Sequence, residues 1–170
     1  MTRKPAKDDE KILILKVTAS DWEGRVRGMP YRVIAIPEKM SLYDLAEIII
    51  ESFGFDFDHA FGFYSNIKRW PRSDEGYELF ADIGEGEQFP GVKSTKVRKV
   101  FNHVKKKMLF LFDYGDEWHF ITQLMRVEEP KENEKYPSVL ESYGEVEQYG
   151  YYDEEYEADD EECEDDDRED

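Results

Sequence analysis

The chain has 170 residues and a net charge of −18, and residues 151–170 alone carry fourteen Asp or Glu against one Arg. Setting that −13 aside leaves −5 for residues 1–150, and a negative surface repels phosphate backbones, which argues against nucleic acid as the default partner. One cysteine, Cys163, excludes an internal disulfide, and no apolar run approaches a membrane span; both features predict a soluble cytoplasmic protein.

Residues 1–10 are polar, read as a frayed terminus, and hold no signal-peptide core. Lys11 to Thr18 is rich in β-branched and aliphatic residues and reads as a strand, followed by a charged loop from Asp21 to Met29. Pro30 to Pro37 reads as a second strand, with proline confined to its borders where no ladder donor is needed. Ser41 and Asp44 form the acidic relative of a capping box, and Leu42, Leu45, Ile49 and Phe53 keep helical spacing. A helix is therefore predicted over about 42–53, closed by Gly54.

Phe55 to Tyr64 is dense in aromatics, and from Ala60 it can alternate as a strand. Arg69 to Gly91 reads as loop, with a short strand near Tyr77 to Phe80. Val97, Val100, Phe101 and Val104 predict a second helix over Thr95 to Val104, capped by Ser94 or Thr95. The basic cluster Lys93, Lys96, Arg98, Lys99, Lys105, Lys106 and Lys107 reads as its solvated face and the entrance to the next strand.

The organising stretch is Leu109 to Leu124, two apolar runs around a Gly-Asp turn, which predicts a hairpin reaching about Val127. Met108, Phe110 and Phe112 point to one side and Leu109 and Leu111 to the other, so the first strand must be covered on both faces and sit inside the sheet. Tyr136 to Leu140 is expected to lay a short segment back on the core. Beyond Gly144 aliphatic residues nearly vanish, and such a segment cannot bury enough surface to offset its ordering entropy. The chain therefore divides into 1–10, an α+β domain over 11–150, and an acidic disordered tail over 151–170. The domain is expected to hold a mainly antiparallel sheet in β-β-α-β-α-β-β order with both helices on one face.

Asp113-Tyr114-Gly115-Asp116-Glu117-Trp118 resembles the Asp-aromatic-Gly-Asp-x-Trp hairpin of the plasmid pRiA4b ORF-3-like family, also called MM3350-like. Pro30-Tyr31-Arg32-Val33-Ile34 with Pro37, the helix from Leu42 to Phe53-Gly54-Phe55, and Asp58-His59-Ala60-Phe61-Gly62-Phe63 are similar to its other motifs in order. Tyr136-Pro137-Ser138-Val139-Leu140-Glu141 with Gly144 completes a likeness over about 11–150. Many members carry a His two residues after the Trp, where this chain has Phe120; His119 stands one position early and faces the other side, so a role for that family histidine does not transfer. The resemblance implies an α+β fold without an established activity, and some members' resolvase-like names suggest mobile-element neighbourhoods.

Two carboxylates flanking Gly115, Asp113 and Asp116, with an imidazole from His59, His103 or His119, could bind a hard cation or run acid–base chemistry. Aspartates at such places more often cap turn amides. No metal-ligand histidine spacing, nucleophile elbow or phosphate-binding glycine loop is present, so neither a cofactor nor a metal is expected. The aromatics Trp70, Tyr114 and Trp118 exceed what a small core needs and are binding-surface candidates together with His59, Asp113 and Asp116. The expected function is a non-enzymatic protein- or peptide-binding module, its acidic tail steering it to a basic protein or peptide. The alternatives are a metal-dependent hydrolase or nuclease-like enzyme using Asp113, Asp116 and His59, or a mobile-element-associated accessory protein.

Overall fold

A computed structural model describes residues 10–21, 25–86 and 88–148. Among the described residues seven strands form one sheet, all of its ladders antiparallel: β1 (Ile12–Ser20), β2 (Tyr31–Pro37), β3 (Phe61–Tyr64), β4 (Gly76–Glu78), β5 (Lys107–Phe112), β6 (Trp118–Glu128) and β7 (Ser138–Tyr143). Their order across the sheet is β4-β3-β5-β6-β1-β2-β7. The hairpin β5–β6 thus lies in the interior, and Met108 through Phe112 are all buried. Among the described residues no helix is long and apolar enough to cross a membrane.

Helix α1 (Leu42–Ser52) follows from its ends as much as from its stripe. Ser41 Oγ accepts the Asp44 amide and Asp44 Oδ2 accepts the Ser41 amide, both at 3.1 Å, so two otherwise unpaired donors are satisfied reciprocally. At the other end the Phe55 amide reaches Ile50 O and the Gly54 amide reaches Glu51 O, each at 3.0 Å, which closes the last turn. Leu42, Leu45, Ala46, Ile49 and Ile50 are buried against Leu13, Leu15, Val17, Ile34, Ile36, Phe110 and Phe120 in a single core cluster.

The second predicted helix is much shorter than expected. Only Val97–Val100 (α3) is helical, Ser94 and Thr95 do not cap it, and Val104 is 49% exposed. The cause is competition for backbone groups: Thr95 O, the acceptor that the Lys99 amide would need in a helix begun at Thr95, takes the Leu42 amide at 2.9 Å, while the Val97 amide, a first-turn donor without an intrahelical partner, is satisfied by Met40 O at 2.8 Å. Thr95 Oγ1 turns instead to Gly91 O, and past Phe101 the Lys105 amide joins Leu124 O at 2.8 Å. Val97, Val100 and Phe101 still enter the same core as α1, so both helices cover one face of the sheet.

Two further differences concern the edges. The strand expected at Tyr77 to Phe80 is β4, shifted to Gly76–Glu78, and it runs into a single helical turn, α2 (Leu79–Asp82). The segment at Tyr136 to Leu140 lies back only in part: Tyr136 packs on the small cluster of Ile12, Ile14 and Ala35, while the chain goes on as the edge strand β7, which pairs with β2 and leaves Val139 and Leu140 exposed. The expected tail over 151–170 lies outside the described residues.

Candidate functional site

The turn joining β5 to β6 is held by one carboxylate. Asp113 has φ +65°, and its Oδ1 accepts the Gly115 amide at 3.0 Å and the Asp116 amide at 3.2 Å. The Glu117 amide returns to Asp113 O at 2.6 Å, with Glu117 also left-handed at φ +52°. Aspartate tolerates this backbone region because its short side chain bonds locally, so the Asp-x-Gly-Asp pattern is a turn specification.

His59 lies beside this turn. Its Nε2 is 3.4 Å from Asp113 Oδ2 and its Nδ1 is 2.6 Å from Asp58 Oδ1. Asp116 takes part through its main-chain carbonyl, which accepts an Arg25 guanidinium N–H at 2.7 Å. Among the described residues no group of three His, Cys, Asp or Glu side chains is placed to hold a metal ion.

The three candidate aromatics separate. Trp118 is buried at 3% exposure, edge-on to Phe55, with the Arg25 guanidinium 4.0 Å from its ring centre. It belongs to the core. Tyr114 and Trp70 instead meet on the opposite face of the sheet, their rings 5.6 Å apart and T-shaped. Tyr114 Oη lies 2.7 Å from Tyr64 Oη, and Tyr64 donates to Glu78 Oε2 at 2.5 Å. Burial first, and then the Glu78 bond, push the Tyr64 phenol far above its ordinary pKa. Both hydroxyls cross over Gly62, where an added Cβ would stand 2.7 Å from Tyr114 Oη and 2.8 Å from Tyr64 Oη.

Trp70 sits in a 3-10 turn, Trp70–Arg72, that folds back from β3 towards the hairpin turn. Its indole N–H donates to Glu117 Oε1 at 2.8 Å, a contact between residues 47 positions apart. Beside this bond opens a cleft of about 380 Å³ lined by Lys68, Arg69, Trp70, Pro71, Arg72, Glu117 and His119. Lys68, Arg69 and Arg72 are exposed. Among the described residues, no ion pair joins any of them to a carboxylate.

His119 supplies the cleft's inner wall. Its Nε2 is buried without a hydrogen-bond partner, 3.7 Å from Glu117 Oε1. Burial lowers the imidazole pKa below its ordinary value, with Glu117 and then Asp21 pulling the other way. The neutral ring can therefore accept or donate one hydrogen bond to whatever enters. Sequence reasoning passed over Glu117 and the three cations. The one legible signal was β-strand alternation, which sets His119, Ile121 and Gln123 opposite to Trp118 and Phe120.

A family model described as Plasmid pRiA4b ORF-3-like protein matches residues 11–166. The fold is similar to the crystal structure of the protein of unknown function MM3350 from Methanosarcina mazei Go1. The TM-score is 0.63 at 22% identity, covering 78% of this chain and 70% of that one. No curated protein matches the chain.

Proposed function

The chain belongs to the plasmid pRiA4b ORF-3-like family, and from that premise we propose that it is a non-enzymatic binding module holding a peptide segment of another protein in the Trp70 cleft. The observation that carries this reading is the composition of the cleft: one indole ring with three exposed cations around it on a chain of net charge −18. An indole flanked by guanidinium groups gives apolar contact and paired donors together, the combination favoured at peptide-binding hot spots. The charge sign selects an acidic segment bearing an apolar or aromatic side chain. A basic partner drawn by residues 151–170 is a separate expectation, resting on residues outside those described.

The hydrolytic alternative has one observation in its favour, the seating of His59 between Asp58 and Asp113. Against it, Asp113 Oδ1 is committed to two turn amides. A carboxylate so engaged is a poor ligand for an incoming cation.

The test is an NMR titration of the full chain with a short peptide of alternating Tyr and Glu. Shifts should centre on the Trp70 indole and the His119 amide, weaken with added salt, and be lost in a Lys68→Glu, Arg69→Glu, Arg72→Glu chain. Shifts centred elsewhere, or Mg²⁺-dependent phosphodiester cleavage lost in Asp113→Asn, would sink the reading.

A further inference from the structure

We propose that the chain's own acidic end, residues 151–170, occupies the Trp70 cleft until a partner displaces it. This rests on the cleft being a site for acidic peptide, and adds to it an internal competitor.

Charge complementarity is the first argument. The segment carries fourteen Asp or Glu, with Tyr151, Tyr152 and Tyr156 at its start, so it offers both the acids and the rings that the cleft selects. Lys68, Arg69 and Arg72 stand exposed around Trp70, with no salt-bridge partner among the described residues. Facing charges of opposite sign in a cleft bring about binding that is strong at low salt and screened over roughly 8–10 Å near physiological salt.

The second argument is where the described chain ends. Gln148 is buried, its Oε1 accepting the Asp56 amide at 2.8 Å and its Nε2 donating to Asp56 O at 3.3 Å and Asp58 Oδ1 at 3.5 Å. Asp58 holds His59, His59 touches Asp113, and Asp113 caps the hairpin turn whose Glu117 binds Trp70. The described chain thus ends at the turn end of the sheet, the end at which the cleft opens. An extended chain reaches about 3.3–3.6 Å per residue, so the length of chain from 149 to 170 allows a reach of roughly 70–80 Å.

The rival basic surface is placed at the other end. Lys107 pairs with Gln123, a whole strand length from the turn, and Thr95 and Val97 are bonded to the start of α1 while Gln148 lies past its finish. Part of that cluster is already engaged: Lys106 is 2.6 Å from Glu75, and Lys93 lies 5.0 Å over the Tyr43 ring. Tethering raises the effective concentration of a linked segment to about the millimolar range, so even a weak contact at the nearer site is largely filled.

Two measurements on the full chain test this. A nitroxide is attached to Cys163, the one cysteine, and paramagnetic broadening is mapped by NMR. Broadening should concentrate on the Trp70 indole, Glu117 and His119, and disappear in the Lys68→Glu, Arg69→Glu, Arg72→Glu chain. Separately, the Tyr-Glu peptide is titrated into a full-length chain in which every Asp and Glu from 153 to 170 is changed to its amide. Removing the tethered competitor should tighten peptide binding about tenfold. Equal affinity for both chains, or broadening at Lys93 to Lys107 or nowhere, overturns the internal competitor while leaving the cleft as a peptide site. Failure of the peptide to bind either chain overturns both.

Discussion

Asp113 and Gly115 are joined across the hairpin turn by a 3.0 Å hydrogen bond from the Gly115 amide to Asp113 Oδ1, made by a residue whose own φ is +65°. The side chain therefore does two jobs, tolerating a left-handed backbone and accepting amides that the turn leaves unpaired. Asp113→Ala loses both and should destabilise by about 2–3 kcal/mol in urea unfolding, from about 1–2 for the backbone and about 1 for the caps. Asp113→Asn keeps an acceptor and the conformational tolerance, and should stay within about 1 kcal/mol of the parent. If Asn proves as damaging as Ala, the charge facing His59 outweighs the turn.

The crossing of two tyrosine hydroxyls over Gly62 makes that position intolerant of any side chain. A methyl group at Gly62 would lie 2.7 Å from Tyr114 Oη and 2.8 Å from Tyr64 Oη, on a strand paired on both sides. Overpacking of this kind costs about 1–3 kcal/mol. Gly62→Ala should therefore lower the urea midpoint, and Tyr114→Phe in the same chain should recover part of the loss by withdrawing one of the two oxygens. A coupling of at least about 0.5 kcal/mol between the two changes is expected. Strict additivity would mean that the hydroxyls move aside freely.

Arg32 is a buried guanidinium that bonds to carbonyls in place of a carboxylate. It donates to Ser52 O at 2.8 Å, Tyr31 O at 2.8 Å, Tyr143 O at 3.1 Å and Gly144 O at 2.9 Å, and it lies 4.3 Å over the Phe53 ring. One side chain thus ties the end of α1 to β2 and β7, with its positive charge at the negative end of the helix dipole. Lysine has the charge without the planar fork. Arg32→Lys should cost about 2–3 kcal/mol, since charge-assisted bonds of this kind contribute about 1.5–3 each. Hydrogen exchange should rise at the β2–β7 ladder before the rest of the sheet. Unchanged exchange there would show that β7 holds without the arginine.

The hairpin and α1 were readable because each carries its own local instructions. Met108 to Phe112 announces a strand buried on both sides, and Ser41 with Asp44 announces a helix start. The second helix was misjudged in length because the phase of Val97, Val100 and Phe101 is right for one turn, while the backbone of Thr95 and Val97 is bonded to the start of α1. No pattern in 93–107 reveals that competition. The cleft is harder still. Trp70 and Tyr114 stood out as aromatics, but that Trp70 meets Glu117, 47 positions away, depends on a loop path that has no periodicity to read. Lys68, Arg69 and Arg72 look like ordinary loop charges until the 3-10 turn gathers them beside His119.

His119 offers a way to read the cleft from solution. Its Nε2 is buried without a partner, and burial holds the ring's pKa below the ordinary histidine value, outweighing Glu117 and Asp21, with Arg25 adding to the depression. The unfolded chain, at about 6.5, therefore takes up this proton more readily than the folded one, and stability must fall as pH drops from about 6.5 towards the lowered folded value. His119→Gln removes that contribution and should flatten urea-measured stability across this window, leaving the carboxylate-driven loss at lower pH in place. An acidic peptide seated in the cleft adds negative charge beside the ring, which favours the imidazolium. In the chain whose Asp and Glu from 153 to 170 are changed to amides, which leaves the cleft without an acidic occupant, the His119 proton resonances followed through an acid titration should therefore report a higher pKa with the Tyr-Glu peptide present than without it. A titration unmoved by saturating peptide would place the peptide's carboxylates away from His119.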